Sequence, residues 1–124
     1  MQFKEWLGEV YLPTRQKMST KVLAKSLPTE PTVMEYEFQV LPPMADKAAE
    51  LRREATKYYR DAKLAAEMSL EAEKYPRSSL ASLAKDRCGE ELAVMQEAED
   101  LLSIIRERRF DVKKLKFGHT ERDT

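Results

Sequence analysis

The sequence is poor in the residues from which small proteins build chemistry. Its 124 residues include one cysteine, one histidine and three glycines, and 22 basic side chains face 22 acidic ones. Cys88 alone rules out an internal disulfide scaffold. Cys88 and His119 supply two of the four ligands that a structural zinc site normally takes. Gly8, Gly89 and Gly118 are too widely spaced to write either GxGxxG or GxxxxGK[ST], so no glycine-rich phosphate loop is present. A net charge of zero lacks the basic excess typical of autonomous nucleic-acid binders. No run approaches the roughly 20 apolar residues of a membrane-spanning helix.

The same scarcity bears on catalysis. Any Ser-His-acid or Cys-His arrangement must use His119, which stands beside Gly118 in what reads as a polar tail. Cys88 falls on the apolar stripe of an expected helix and reads as a small buried hydrophobe. Glu90, Glu91, Glu97, Glu99 and Asp100 lack the histidines of a Glu-x-x-His di-metal site and read as a solvated acidic face. The expectation is a non-enzyme with no cofactor and no bound metal. Residues 1–11 lack the apolar core of a secretory signal and carry Glu5 and Glu9, which suit a cleaved mitochondrial presequence poorly. An intracellular, reducing setting is expected, and both mitochondrial import without a cleaved presequence and a cytoplasmic location are compatible with it.

What the chain has is helix-forming sequence behind a proline-rich start. All six prolines lie at or before Pro76, and Pro42-Pro43 marks the expected boundary of an N-terminal arm, 1–45. Phe3, Leu7 and Val10 predict two helical turns ended by Pro13, and Thr14 can cap a second short helix to about Leu27, with Met18, Val22 and Leu23 on its apolar side. Met34, Tyr36, Phe38 and Val40 then alternate with Glu35, Glu37 and Gln39, a period-2 pattern that predicts one strand. A single strand needs a partner's sheet edge or groove for its backbone.

From Ala45 to Lys74 neither glycine nor proline interrupts the chain, and Asp46 can cap this helix at its start. Its heptad-like seam runs Ala48, Leu51, Ala55, Tyr58, Ala62, Ala65, Ser69, Ala72. Glu50–Arg53, Glu54–Lys57 and Lys57–Asp61 are spaced to pair along its exposed side. Tyr75-Pro76 should end it, and Ser78 or Ser79 should cap a second helix of about 80–109, whose stripe includes Leu83, Ala84, Cys88, Leu92, Met95 and Ala98, continues to Leu102 and Ile105, and is weakened at Gly89. The fold expected is therefore mainly α: a long antiparallel hairpin over 46–110, an extended N-terminal arm with short helices and one possible strand, and a C-terminal tail over 111–124.

Two helices with an alanine-rich seam enclose little core, and the short N-terminal helices can close a three-helix arrangement. The aromatics Trp6, Tyr11, Tyr36, Phe38, Tyr59, Phe110 and Phe117 are dispersed and read as separate anchors for neighbours. The expected function is thus a non-catalytic accessory subunit scaffolding a large assembly, of the respiratory-complex, ATP-synthase or cytoskeletal kind. Its expected contacts are Trp6, Met34, Tyr36, Phe38 and Val40, with Arg108, Arg109 and Lys113 from a late basic segment. The alternative is a small ribosomal or RNA-associated protein that uses this basic segment, 106–116, within a ribonucleoprotein. The hairpin seam also permits a homodimer.

Overall fold

The computed structural model describes residues 1–19 and 26–122, the side chains of 118–122 aside. It is helical almost throughout, and the described residues contain no strand. Helix α1 (Phe3–Trp6) passes through a π-helical stretch (Leu7–Tyr11) into α2 (Leu12–Met18). Helix α3 (Pro31–Ala72) is 42 residues long, roughly 63 Å at 1.5 Å per residue. Helices α4 (Arg77–Arg87) and α5 (Gly89–Arg122) run back along it, antiparallel to it. The two-helix core of the expected hairpin is present, but both of its arms are longer than the sequence reading allowed.

The expected break at Pro42-Pro43 does not occur. Both prolines lie inside α3, so Phe38 and Gln39 lose the N–H donors that an uninterrupted helix would offer their carbonyls. Packing on both sides of the pair keeps the helix continuous. Glu37, Leu41, Ala45, Ala48, Leu51 and Ala55 are all buried, at spacings of three and four residues that run straight across the prolines. A break at the pair would turn Leu41 and everything before it off the core. Pro31 at the other end is well placed, because a first-turn N–H has no helical partner in any case.

Residues 33–40 are correspondingly helical, and the predicted strand is absent. The alternation of Met34, Tyr36, Phe38 and Val40 distributes these side chains around a helix instead of along one face of a strand. Glu37, read as an outward strand position, is buried, whereas Tyr36 is 51% exposed. The C-terminal tail is corrected for the same reason. Because α3 starts at Pro31, its first turns offer α5 a surface beyond Arg109, and helix continues to Arg122 with Val112 fully buried. His119 therefore lies within the helical span, its side chain outside the described residues.

Two further boundaries differ from expectation. Pro13 does not end the first helix. The preceding turns widen to π geometry, with the Leu12 N–H donating to the Leu7 carbonyl, and the proline falls where the hydrogen-bond pattern changes. Thr14 is accordingly inside α2 and caps nothing, while the rest of the second short helix expected to Leu27, with Val22 and Leu23, falls largely outside the described residues. The second long helix is divided at Cys88, whose backbone (φ −112°, ψ 38°) leaves helical geometry immediately before Gly89. Between α3 and α4, Lys74 adopts a left-handed conformation (φ 67°). The Tyr75 N–H bonds the Leu70 carbonyl and the Lys74 N–H that of Glu71, the double closure of a Schellman cap. Helix α4 begins at Arg77, after Pro76, without a side-chain cap from Ser78 or Ser79. Asp46 is an exposed mid-helix residue rather than a cap.

The N-terminal helices close a three-helix section. Trp6, Tyr11 and Met18 join Leu51, Ala55, Leu102 and Ile105 in one buried cluster. The aromatics are less dispersed than the sequence suggests: Trp6 stands 5.3 Å from Tyr11 and 5.1 Å from Tyr58, and Phe3 lies 5.7 Å from Tyr58, ring centre to ring centre. The Trp6 indole N–H donates to Glu54, and the Tyr58 hydroxyl donates to the Met1 carbonyl. On α5, Lys4 pairs with Glu90, while Tyr11 and Arg15 both donate to Glu97. The N-terminal helices thus run parallel to α5. Beyond Tyr58 the predicted seam drifts off the core, as a 3.5-residue repeat must on a straight helix. Ala65 and Ser69 are exposed, and Leu70 is buried in their place.

Two tests follow from these contacts. Pro43→Ala restores a donor to an exposed position of α3 and should raise the unfolding free energy by about 1–3 kcal/mol in urea titration. A neutral or destabilising result would mean that α3 is broken at the prolines. The second concerns pH. Burial opposes ionisation of Glu97, but hydrogen bonds from Arg15 and Tyr11 outweigh it and hold the carboxyl below its ordinary value of 4.5. The stability this group contributes is present above that value and is lost as pH falls through the lower folded pKa. Burial, then the neighbouring Glu97, pushes the Tyr11 hydroxyl well above its ordinary value of 10.0, so its contribution is complete below pH 10 and is lost as pH rises beyond it. Glu97→Gln should flatten the acid limb of a pH–stability profile, and Tyr11→Phe the alkaline limb.

Candidate partner interface

The sequence-predicted contact residues fall into three environments. Trp6 is 3% exposed and belongs to the intramolecular core, which corrects its reading as a partner anchor. Arg108 is corrected likewise. Its Nε donates to Glu37 Oε1 at 2.6 Å, and its Nη2 donates to Glu37 Oε2 at 3.1 Å and to the Ser26 carbonyl at 2.9 Å. This buried fork joins α5, the first turns of α3 and the connector before α3. Met34 and Val40 are half-buried and Tyr36 is exposed, so the strand face they were to form does not exist. Phe38, Arg109 and Lys113, by contrast, converge.

These three line a cleft of about 460 Å³ between α3 and α5, together with Pro42, Arg106 and Phe110. Arg106, Arg109, Phe110 and Lys113 stand at i, i+3, i+4 and i+7 on α5, which places them on one face. Phe110 is 67% exposed, whereas Phe38 is half-buried beneath the Phe117 ring at 5.6 Å, with the Lys116 ammonium 4.2 Å from its own ring centre. Lys116 also pairs with Glu35, and that bond, with a second from Gln39, holds the Glu35 carboxyl below its ordinary range.

A second cleft of about 510 Å³ lies between the same helices, lined by Arg52, Arg53, Thr56, Lys57, Arg60, Asp61 and Glu99. Thr56 and Arg60 are each 18 residues, about five helical turns, beyond Phe38 and Pro42. Glu99 is two heptads before Lys113. The two clefts are therefore stretches of one groove along one side of α3 and α5. Glu54 and Tyr58, which meet the N-terminal helices, lie about 160° around α3 from Thr56, so Thr56 and Arg60 face the side that α1 and α2 leave open, whereas Lys57 and Asp61 also line a cleft with Met1, Trp6 and Val10.

The predicted pairs Glu50–Arg53, Glu54–Lys57 and Lys57–Asp61 are not formed. Glu50 meets Lys47, and Glu54 is occupied by Trp6. As a result Arg52, Arg53, Lys57 and Arg60 on α3, and Arg106, Arg109 and Lys113 on α5, take part in no ion pair among the described residues. Cations that take part in no ion pair among the described residues thus gather along one groove, with Asp61 and Glu99 as the carboxylates among them. Arg53 and Lys57 escape sequence reading because each has an acidic neighbour at pairing distance along the helix, whereas Arg52 and Arg60 have none. The signal available was the registry of Phe38 with Thr56 and of Pro42 with Arg60, which becomes visible once 31–72 is taken as one helix.

The remaining chemistry-bearing groups are placed elsewhere. Cys88 is buried at the α4–α5 junction, its Sγ donating to the Ala84 carbonyl at 2.8 Å, and burial, then Glu91, pushes its thiol pKa up. Among the described residues no group of three or more His, Cys, Asp or Glu side chains is arranged to hold a metal ion, and no helix is long and apolar enough to cross a membrane. No family model matches the chain, and no curated protein or solved structure is significantly similar to it.

The Arg108–Glu37 fork yields a paired test. Arg108→Ala strands a buried carboxylate and should cost about 3–5 kcal/mol in chemical denaturation. Replacing both partners, Arg108→Met with Glu37→Leu, should recover most of that loss, because two compact apolar side chains leave no unpaired charge.

Proposed function

We propose that this chain is a non-catalytic accessory subunit that takes its place in a larger multi-subunit assembly through the open side of α3 and α5. The observation that carries this reading is the groove itself. It presents arginines and lysines that take part in no ion pair among the described residues beside an exposed Phe110, while the N-terminal aromatics are closed into the chain's own core. Such a surface, an aromatic anchor ringed by arginines, has the composition of protein contacts that hold through a few well-packed residues. The mechanism is positional: a stiff pair of long helices presents binding groups at fixed separations and keeps neighbouring subunits in register. A respiratory complex, an ATP synthase or a cytoskeletal array would each use such a part. A ribonucleoprotein is the second reading, favoured by the alignment of Arg106, Arg109 and Lys113 on one face.

The test is the native mass of the tagged endogenous protein, read with the identities of its co-migrating companions. The expected result is migration in a large particle that survives ribonuclease. The Arg109→Glu/Lys113→Glu variant should run instead as free chain, with an unchanged helical circular-dichroism signal. Collapse of the particle on ribonuclease treatment would transfer the groove to RNA, and migration of the unaltered protein as a free chain would overturn the assembly reading.

A further inference from the structure

We infer that the open groove receives an acidic amphipathic helix of a partner protein, which packs as the fourth helix of the bundle on the side opposite α1 and α2. This rests on the accessory-subunit reading and names the chemistry of its partner. Shape is the first argument. A groove between two packed helices accommodates a third cylinder about 10 Å across, whereas an RNA duplex is too wide to reach its floor.

The floor is the second. Between the two cation-rich stretches the α3 side of the groove passes through Ala49, which is half-buried against the core and lies on the same face as Pro42 and Thr56. An alanine at mid-groove lets a helix backbone approach closely. Phe110 supplies one exposed aromatic contact at the α5 side, which suits an apolar knob and falls short of the row of stacking platforms that single-stranded nucleic acid uses.

Charge is the third. The cations divide into a stretch at Arg53 and Arg60, where they outnumber the carboxylates Asp61 and Glu99, and a stretch at Arg106, Arg109 and Lys113. Pro42 lies level with the second stretch, so the two stand about 11–18 residues, or roughly 16–27 Å, apart along α3. The complementary partner carries carboxylates at both ends of a helix of about 20–25 residues and small or apolar residues between them. A second copy of this chain does not fit, because a two-fold contact through the groove would set arginines against arginines.

The purified full chain tests this against defined probes. The first is a 24-residue helical peptide with alanine and leucine on one face and glutamates flanking that face at both ends. The others are a scramble of the same composition and a 24-nucleotide oligouridine. By fluorescence anisotropy at physiological salt, the amphipathic peptide should bind at least tenfold more tightly than either. Arg53→Glu/Arg109→Glu should weaken it at least tenfold, Phe110→Ser should weaken it several-fold, and circular dichroism should be unchanged in both. Equal binding of the scramble, tighter binding of oligouridine, no binding of the peptide, or a self-association that competes with it would each overturn the inference. A chain that enters a large particle but fails the peptide test would retain the accessory-subunit reading and lose its helical partner. A chain that migrates free but binds the peptide would do the reverse.

Discussion

Two adjacent prolines in the interior of a long helix remove two hydrogen-bond donors, and everything else in this structure is arranged so that the helix survives them. Each proline costs about 3 kcal/mol in a helix interior relative to alanine. The contacts that hold α3 together flank the pair: Leu41 sealed in the core on one side, Ala45, Ala48 and Leu51 on the other. Upstream, the Arg108 guanidinium grips Glu37 and the Ser26 carbonyl. That fork contributes more to specificity of register than to net stability, since a buried ion pair gives back much of its attraction in desolvation. It fixes which turn of α3 faces which turn of α5, and so decides that Phe38 and Pro42 meet Arg106 and Phe110.

The helical nature of the chain, its central antiparallel pair and the turn at Tyr75-Pro76 were legible in the sequence, because on each side of that turn a helical apolar period continued for many turns without proline, broken only by Gly89. Residues 31–45 were not, and one ambiguity accounts for both large discrepancies. In a window of eight residues, Met34, Tyr36, Phe38 and Val40 satisfy a strand period, while over the longer stretch to Ala48, Met34, Phe38, Leu41, Ala45 and Ala48 satisfy a helical one. Local propensity at Pro42-Pro43 favours the first reading, and tertiary burial of Leu41 and Glu37 selects the second. Once α3 begins at Pro31, the last turns of α5 have a surface to pack on, and the expected tail becomes helix. No local signal in 111–122 announces this.

The groove was half legible. Arg109 and Lys113 stood out as part of a basic segment, and Phe38 as an aromatic, but their meeting depends on the extended α3. Arg108, central to the same segment, is directed inward by its place on the buried stripe after Ile105. Arg53 and Lys57 on α3 were hidden by apparent pairing with Glu50 and Glu54, which the fold employs otherwise. Glu54 is the instructive case: its carboxylate accepts the Trp6 indole, so the docking of the N-terminal helix engages one of the two acids, Glu54 and Asp61, spaced to pair with Lys57. Closing one side of the bundle sharpens the charge of another.

The unequal thickness of the bundle has a consequence of its own. Three helices enclose the middle of α3, but beyond Tyr58 only α4 and the start of α5 accompany it, and Leu64, Met68 and Tyr75 are left exposed there. A thinner core opens at lower free energy, and the boundary at Cys88 divides α4 from the well-packed length of α5. The end of the rod that carries the Lys74 turn can therefore unfasten while the section joined by Trp6, Tyr11 and Glu97 stays shut. The protein is graded along its axis, thickest where the N-terminal helices pack and thinnest at the far turn.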